Sequence, residues 1–569
     1  MKLLGIPAAA WEWLLLAGTC GLFLFFAARR LSLPGPEYDE VYEANFGVAI
    51  ARNLYPRINA VTDPYAVVPM TDWFVKLAGR EWPLWVPQPY DWSGFVMYLT
   101  AGVFHSAGVS LRSLRAAEVA VAMAIIVLFF VFCRLWLPAP WALAAAFLLA
   151  VNPAFVIWGR LCFWAVEMLV AFFALASAAC LAQWWRSKSR AALFWGCFFL
   201  GAGVNASIKI LAFWVAYPLL YFLFIPRERK LQLKEFFFCG LAFAVGAANF
   251  IIFNVSRGFP TFRFLLIHLW VPTNWGIDNL DVIGNMAVRW RQFLGVLDGQ
   301  LPAFGTGGAA PRSWLLPGLF IASFLWLAGK CARDKRWEYR KPAAVILALC
   351  AVLFLCICFT PSGLDPEHPF VLWPYAILVI ALGFFSLFEA VNSFRFGRWL
   401  ALGCLLAAAI WSWRFDGAYF SALKRTGGEG LWTSAPSDAA HYLEKERAHA
   451  VVCLSWGMAE QIYFISKGKI IPDNGFSFRG GVPPRLLAAY RGWLRDPATL
   501  YLSWAGPQSK FDGRAALAEE LRKERKTLIL EKTFSDGRGV PILFLYKTGT
   551  RGPFREKPPK VAGYDKIRP

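Results

Sequence analysis

The sequence predicts a polytopic α-helical membrane protein with a soluble α/β domain at its C-terminus, and three observations carry that expectation. Of 569 residues, 58% are hydrophobic and 17% aromatic, and the mean hydropathy of +0.47 is too high for a water-soluble chain of this size. Apolar runs of the ~17 to 25 residues needed to cross about 30 Å of hydrocarbon recur from Trp13 and stop near Trp413. Beyond that point the composition is that of an ordinary globular domain.

The apolar runs place about eleven crossings at 12–28, 115–134, 141–157, 166–183, 192–206, 208–225, 236–255, 313–329, 343–359, 370–389 and 398–413. The first starts thinly positive at Lys2 and lacks a small-residue cleavage site, so it reads as a retained span. The net charge of +21 is scattered as short clusters between the runs, which suits topology signals better than a nucleic-acid surface. With the N-terminus cytoplasmic, every cluster falls inside: Arg134; Arg186, Lys188 and Arg190; Arg227, Arg229, Lys230 and Lys234; Arg333 to Lys341; Arg395 and Arg398. The same parity puts 31–113, 257–312 and everything after Arg414 outside.

Counting 92–107 as a crossing would invert all later loops, so it is expected to lie in the outer interface. Residues 259–270 and 286–300, where Arg263, His268, Arg289 and Arg291 interrupt apolar positions, read as interfacial helices too. The twelve cysteines form no CxxC pair and read as small buried hydrophobes.

Three function classes compete. A transporter or flippase of lipid-linked sugars would explain the spans. However, the spans show no internal repeat, and their carboxylates, Glu12, Glu118, Glu167 and Glu389, all sit near ends. A ligase that moves a preassembled glycan is a third class. The acidic residues gather instead in the first outer segment, from Glu37 through Asp39 and Glu40 to Asp63, Asp72, Glu81 and Asp91. A carboxylate at the outer face can take a proton from an acceptor hydroxyl, and Asp39 and Glu40 are the leading pair. Arg160 and Glu167 lie at the outer ends of the third and fourth spans, and Lys209 sits in a very short outer connection, where an ammonium suits a lipid phosphate. Glu367 and His368 face the same surface before the tenth span. Solvated loop acids and a snorkelling arginine are the plainer alternatives.

Taken in order, these residues resemble the protein O-mannosyltransferases and bacterial aminoarabinose transferases, glycosyltransferases of the GT-C fold, over about residues 10–415. Tyr38, Asp39 and Glu40 follow the first span. Pro87-Gln-Pro-Tyr-Asp-Trp92, Gly108-Val-Ser and Leu114-Arg115 are similar to the family's Pro-Pro-Leu-Tyr, Gly-Val and Arg-Leu run. Asn152-Pro-Ala-Phe, Gly159-Arg160 and Glu167-Met-Leu are similar to its Ser-Pro-Leu-Phe, Gly-Arg-Leu and Asp-x-Leu, with Glu167 for the usual Asp. Lys209 matches the lysine of Ser-Thr-Lys, and His368 stands where arginine is frequent.

The resemblance implies an inverting transfer of a hexosyl or pentosyl group from a polyprenyl-phosphate donor to a lipid, glycan or protein acceptor on the outer face. Asp39 would be the general base, Glu40 and Glu167 would position hydroxyls, and Arg160, Lys209 and His368 would bind the donor phosphate. No metal ligand set is expected, although a divalent cation on Glu40 and Glu167 stays open. A bacterial inner-membrane location with a periplasmic C-terminal domain fits these expectations.

The domain expectation is 1–415 for the transmembrane transferase, 426–550 for the outer α/β unit and 551–569 for a disordered tail rich in Pro, Lys and Gly. Within the unit, helices are expected at 437–447, 456–466, 484–494 and 514–525 and strands at 450–454, 469–471 and 500–503, and the apolar runs 527–531 and 541–546 complete it. No phosphate loop or nucleophile elbow occurs there, which leaves a structural or acceptor-docking role.

Overall fold

The computed structural model describes residues 8–52, 74–77, 79–83, 85–86, 92–161, 167–226, 230–271, 278–306, 314–359, 368–391, 397–429, 432–477, 482–506 and 511–550. The expected tail and the Pro87 to Asp91 motif fall outside them. The chain opens with α1 (Ala8–Ala27) and α2 (Tyr38–Ala51). Two small antiparallel ladders follow, β1 (Phe74–Leu77) with β2 (Arg80–Pro83) and β3 (Trp85–Val86) with β4 (Trp92–Ser93). The helical bundle continues as α3 (Gly94–Ala107), α4 (Leu111–Arg134), α5 (Ala139–Ala150), α6 (Pro153–Trp158), α7 (Leu169–Ser187) and α8 (Arg190–Ala202). Next come α9 (Leu211–Phe224), α10 (Leu233–Gly246), α11 (Ala248–Ser256), α12 (Pro260–Trp270), α13 (Val282–Leu297) and α14 (Gln300–Gly305). The bundle closes with α15 (Leu315–Arg333), α16 (Arg340–Cys358), α17 (Trp373–Val391) and α18 (Gly397–Thr426).

Among the described residues six helices are long and apolar enough to cross a membrane, or seven if α10 and α11 count as one bent span. The expected eleven therefore do not appear as eleven continuous helices, and local chemistry says why. The run at 141–157 is cut where Asn152 accepts the backbone N–H groups of Ala154 and Phe155 at 3.0 and 3.3 Å, and Pro153 starts a new helix. The run at 236–255 bends by 80° after Gly246. The runs at 192–206 and 208–225 are shortened by 3-10 turns at Gly203–Asn205 and Ile208–Ile210. The last span does not end at 413: α18 continues unbroken to Thr426.

Large side chains such as Leu223, Phe237 and Trp399 stand 64%, 76% and 65% exposed on the bundle's outside, as lipid-facing residues do. Inside, helices approach closely where glycine removes the side chain. A Cβ on Gly201 of α8 would run into the Phe243 carbonyl of α10, and one on Gly246 of α10 would run into the Phe198 carbonyl of α8.

After α18 the C-terminal unit folds as α19 (Ala435–Lys445), β5 (Val451–Cys453), α20 (Met458–Ile465), β6 (Asp473–Asn474), α21 (Pro484–Arg495), β7 (Leu500–Trp504), α22 (Arg514–Lys523), β8 (Lys526–Ser535) and β9 (Pro541–Thr550). Its strands form one sheet in the order β6-β5-β7-β9-β8, with β6, β5 and β7 parallel and β9 antiparallel to both β7 and β8. The strand expected at 469–471 is displaced to Asp473–Asn474. Alternation sorts the side chains: Val451 and Cys453 face α19 and α20, whereas Val452 and Leu454 face α21 and α22.

Replacing Gly246 with Val is expected to cost about 1 to 3 kcal/mol by overpacking, whereas Gly240→Val, in the same helix with no atom within 4 Å of its added Cβ, should be nearly neutral. Thermal unfolding in detergent tests this, and equal melting of the two variants would remove the close approach of α8 and α10.

Candidate functional site

Arg115 lies in the second turn of α4, which Ser110 caps by accepting the Ser113 N–H at 3.1 Å. Its side chain is fully buried. Nε and Nη2 grip both oxygens of Glu40 at 2.6 and 2.7 Å, Nη1 donates to the carbonyls of Leu31 and Pro34 at 2.9 and 2.8 Å, and Nη2 donates to that of Gly35 at 3.2 Å. A guanidinium has five N–H groups, and all five are used. Glu40 thus closes an ion pair with neither side chain exposed.

The same carboxylate closes the N-terminus of α2. Glu37 donates its backbone N–H to Glu40 Oε2 at 3.4 Å, and Glu37 Oε2 accepts the Asp39 N–H at 2.6 Å, a reciprocal cap built from two acids. Asp39 stands beside it, exposed in the first helical turn. Glu37 is buried, and burial, with the charges of Asp39 and Glu40 added, holds its carboxyl well above the usual carboxylate range.

A second group converges from four other segments. Glu167, 1% exposed at the start of the α7 helical run, pairs with the Lys209 ammonium. Lys209 sits in the 3-10 turn before α9, where Ser207 Oγ accepts its backbone N–H at 3.3 Å. His368 begins the 3-10 turn His368–Leu372 before α17, within electrostatic reach of both Lys209 and Arg289. Arg289 on α13 is fully buried and donates Nη2 to His368 Nδ1 at 2.8 Å, Nε to the Ile357 carbonyl at 2.9 Å and Nη1 to Gln292 Oε1 at 2.9 Å. Because arginine only donates, His368 Nδ1 accepts and the ring proton sits on Nε2.

Arg160 follows α6, is fully buried, and donates Nη2 to the carbonyls of Arg29 and Arg30 at 2.5 and 2.7 Å. Its guanidinium lies 4.9 Å from the Phe420 ring centroid, and Nε and Nη1 have no hydrogen-bond partner. Burial pulls its pKa down to about 10, which leaves it charged at neutral pH. Trp158 and Phe370 pack at 5.5 Å and join the Arg160 segment to the His368 turn.

The structure therefore brings Glu167, Lys209 and His368 together, ties Glu40 to Arg115, and leaves Asp39 solvent-facing on the helix that Glu40 anchors. The sequence reading missed Arg289, which it placed on an interfacial helix. The signal was present: Asn285, Arg289, Phe293 and Val296 fall on one buried stripe of α13, whereas Arg291 points outward. It also left Arg115 without a role. Among the described residues no group of three metal-ligating side chains occurs. Glu40 and Glu167, offered above as cation ligands, each face a basic side chain instead.

The C-terminal unit docks on α2 next to Asp39. Gln461 donates to the Pro36 carbonyl at 2.8 Å and Asn45 to the Glu460 carbonyl at 2.9 Å, while the Gly35 N–H reaches the Trp432 carbonyl at 2.8 Å. Tyr38 packs 4.5 Å from Trp456. A Cβ at Gly35 would collide with the Thr433 carbonyl, so only glycine fits there.

The fold is similar to that of solved structures. The aminoarabinose transferase ArnT from Cupriavidus metallidurans superposes with a TM-score of 0.56 in its apo state and 0.57 when bound to undecaprenyl phosphate, at 13% and 14% identity, with 95% of this chain and 98% of that one covered. The archaeal oligosaccharyltransferase AglB from Archaeoglobus fulgidus, in complex with an inhibitory peptide and a dolichol-phosphate, gives 0.50 at 12% identity, covering 87% and 69%. The chain has the GT-C fold. No family sequence profile matches it, and neither does any curated protein sequence. The GT-C likeness to ArnT spans nearly the whole chain, C-terminal unit included.

Arg115→Lys, which keeps the charge but loses the fork, is expected to cost about 3 to 5 kcal/mol as a broken buried pair. Arg134→Gln, in an ion pair whose side chains are 39% and 26% exposed, should cost about 0 to 1 kcal/mol. Similar melting temperatures for the two would show that Arg115 bears no load. Because the folded pKa of Glu37 is raised, the folded state holds a proton that the unfolded chain releases above 4.5, so stability falls as pH rises from there. Glu37→Gln should flatten this slope and raise the melting temperature at neutral pH relative to wild type; an unchanged slope would place the titration elsewhere.

Proposed function

We propose that the protein is an inverting glycosyltransferase that moves a sugar from a polyprenyl-phosphate donor to an acceptor at the outer face of the membrane. One observation carries the reading: Lys209, Arg289 and His368 converge with Glu167 at one end of an apolar bundle. An ammonium, a guanidinium and an imidazole N–H gathered in an apolar bundle suit an anion, and a phosphate with a hydrocarbon tail matches both the donors and the apolar setting. ArnT, whose fold the chain shares, has been solved with undecaprenyl phosphate.

In this reading the acceptor hydroxyl loses its proton to Asp39 as it attacks the anomeric carbon, and the bond to the phosphate oxygen breaks on the opposite side, so configuration inverts. Asp39 suits the base because it is a carboxylate exposed at this end of the bundle. Lys209 and Arg289 offset the charge that grows on the leaving phosphate, His368 offers its Nε2–H, and Glu167 holds the Lys209 ammonium in place. Arg160, with two unused donors, supplies a further contact for the donor or acceptor. Glu40 serves differently from the expectation above: it anchors α2 through Arg115 and so positions Asp39. The C-terminal unit braces the same helix. The distribution of basic loops supports a cytoplasmic N-terminus and a periplasmic C-terminal unit.

The test is transfer of radiolabelled sugar from a panel of polyprenyl-phosphate donors to membrane extracts by purified protein. Asp39→Asn, Lys209→Met and Arg289→Gln should each lower the rate by roughly 10² to 10³ while remaining folded. Full activity in Asp39→Asn would remove the base assignment, and no transfer by wild type from any donor would remove the transferase reading.

A further inference from the structure

An apolar cavity of about 260 Å3 lies at the end of the bundle away from the Lys209 group. Its walls are the C-terminal turns of α4, α7 and α9 and the N-terminal parts of α8, α10 and α16, including Trp136, Trp184, Leu193, Phe222, Phe236 and Val345. Glu167, Lys209 and Ile357 belong to the opposite ends of α7, α9 and α16. Along α9 the twelve residues from Lys209 to Tyr221 span about 18 Å at the helical rise.

Paired tyrosines stand on the inner side of the cavity. Tyr217, which lines the cavity, donates to the Ala174 carbonyl at 2.9 Å and pairs with the Tyr375 hydroxyl at 3.1 Å. Phe132 and Phe213 pack on the Tyr375 ring at 6.3 and 6.1 Å. The cavity meets the lipid-facing surface where Phe222 and Phe236 are 59% and 43% exposed.

Its rim is cationic. The Lys188 ammonium sits 4.4 Å from the ring centroid of Trp184 and that of Lys230 sits 5.8 Å from Phe222, so both charges ride on rings that form the wall. Arg186 is exposed beside them and donates to the Leu135 carbonyl at 2.7 Å. The nearest described acid, Glu235, accepts the Gln232 N–H at 2.9 Å in the cap of α10. A space walled almost wholly by apolar side chains accepts hydrocarbon, and cations at its mouth select a negative headgroup.

We propose that this cavity seats a hydrocarbon chain of an anionic membrane phospholipid whose headgroup rests on Lys188 and Lys230. The site is separate from the transfer site, and its test needs no enzymatic activity. The probes are dioleoyl phosphatidylglycerol and dioleoyl phosphatidylcholine, which share chains and differ in charge, added to the purified full-length protein in detergent. Phosphatidylglycerol should raise the melting temperature and be retained in native mass spectrometry, and phosphatidylcholine should do neither. Lys188→Gln with Lys230→Gln, both surface changes, should weaken the phosphatidylglycerol effect roughly tenfold in half-saturating concentration. Ala178→Phe, which fills the cavity, should abolish it. Equal effects of the two lipids, or an undiminished effect in the double lysine variant, would overturn the proposal.

Discussion

The Arg115 guanidinium is the group on which the arrangement of the outer end depends. It is taken wholly out of water, and a buried cation with even one unused donor is costly. Its five N–H groups therefore dictate where the carbonyls of Leu31, Pro34 and Gly35 and the carboxylate of Glu40 must stand. A stretch that reads as a connection between two helices becomes a fixed ten-residue turn. The first turn of α2, the exposure of Asp39 and the docking face for α20 all follow from that turn.

The two charged groups differ in how far they are compensated. Around Arg115 donors and acceptors balance, which suits a structural role and rigid positioning. Around Lys209 the donors of Arg289 and His368 gather beside the Glu167 ion pair, so this group is rich in N–H donors rather than closed on a single carboxylate. Arg160 stands between these cases, tied to two carbonyls yet with Nε and Nη1 unused.

Sequence alone made the polytopic bundle, the α/β unit and most of the basic cluster legible, because apolar length, strand alternation and charges interrupting apolar runs are local signals. Glu167, Lys209 and His368 stood out as ionisable groups at the same membrane depth, and the structure brings them together. Arg289 escaped because its partner His368 lies 79 positions away, and an arginine in an amphipathic helix looks the same in sequence whether its face meets lipid or protein. Glu40 was visible but misjudged: nothing local says that an acid beside Asp39 turns inward to Arg115, 75 positions on. Several expected spans appear as short or bent helices because apolar length does not register a cap such as Asn152 or a glycine contact such as Gly246 with Phe198.

The unbroken passage of α18 from the bundle to Thr426 has a mechanical consequence. Thirty residues of helix reach about 45 Å, with Phe420 beneath Arg160 and Tyr419 receiving the Thr306 hydroxyl at 2.9 Å along the way. The stem is one helix up to Thr426, and Gly427 and Gly428, both at positive φ, follow it. The C-terminal unit is steered by the tilt of its own stem, and it meets α2 at a second, distant point through Gln461 and Asn45. Two attachments far apart turn the unit into a strut, so that the helix bearing Asp39 is braced against the bilayer by a part of the chain more than 400 residues away.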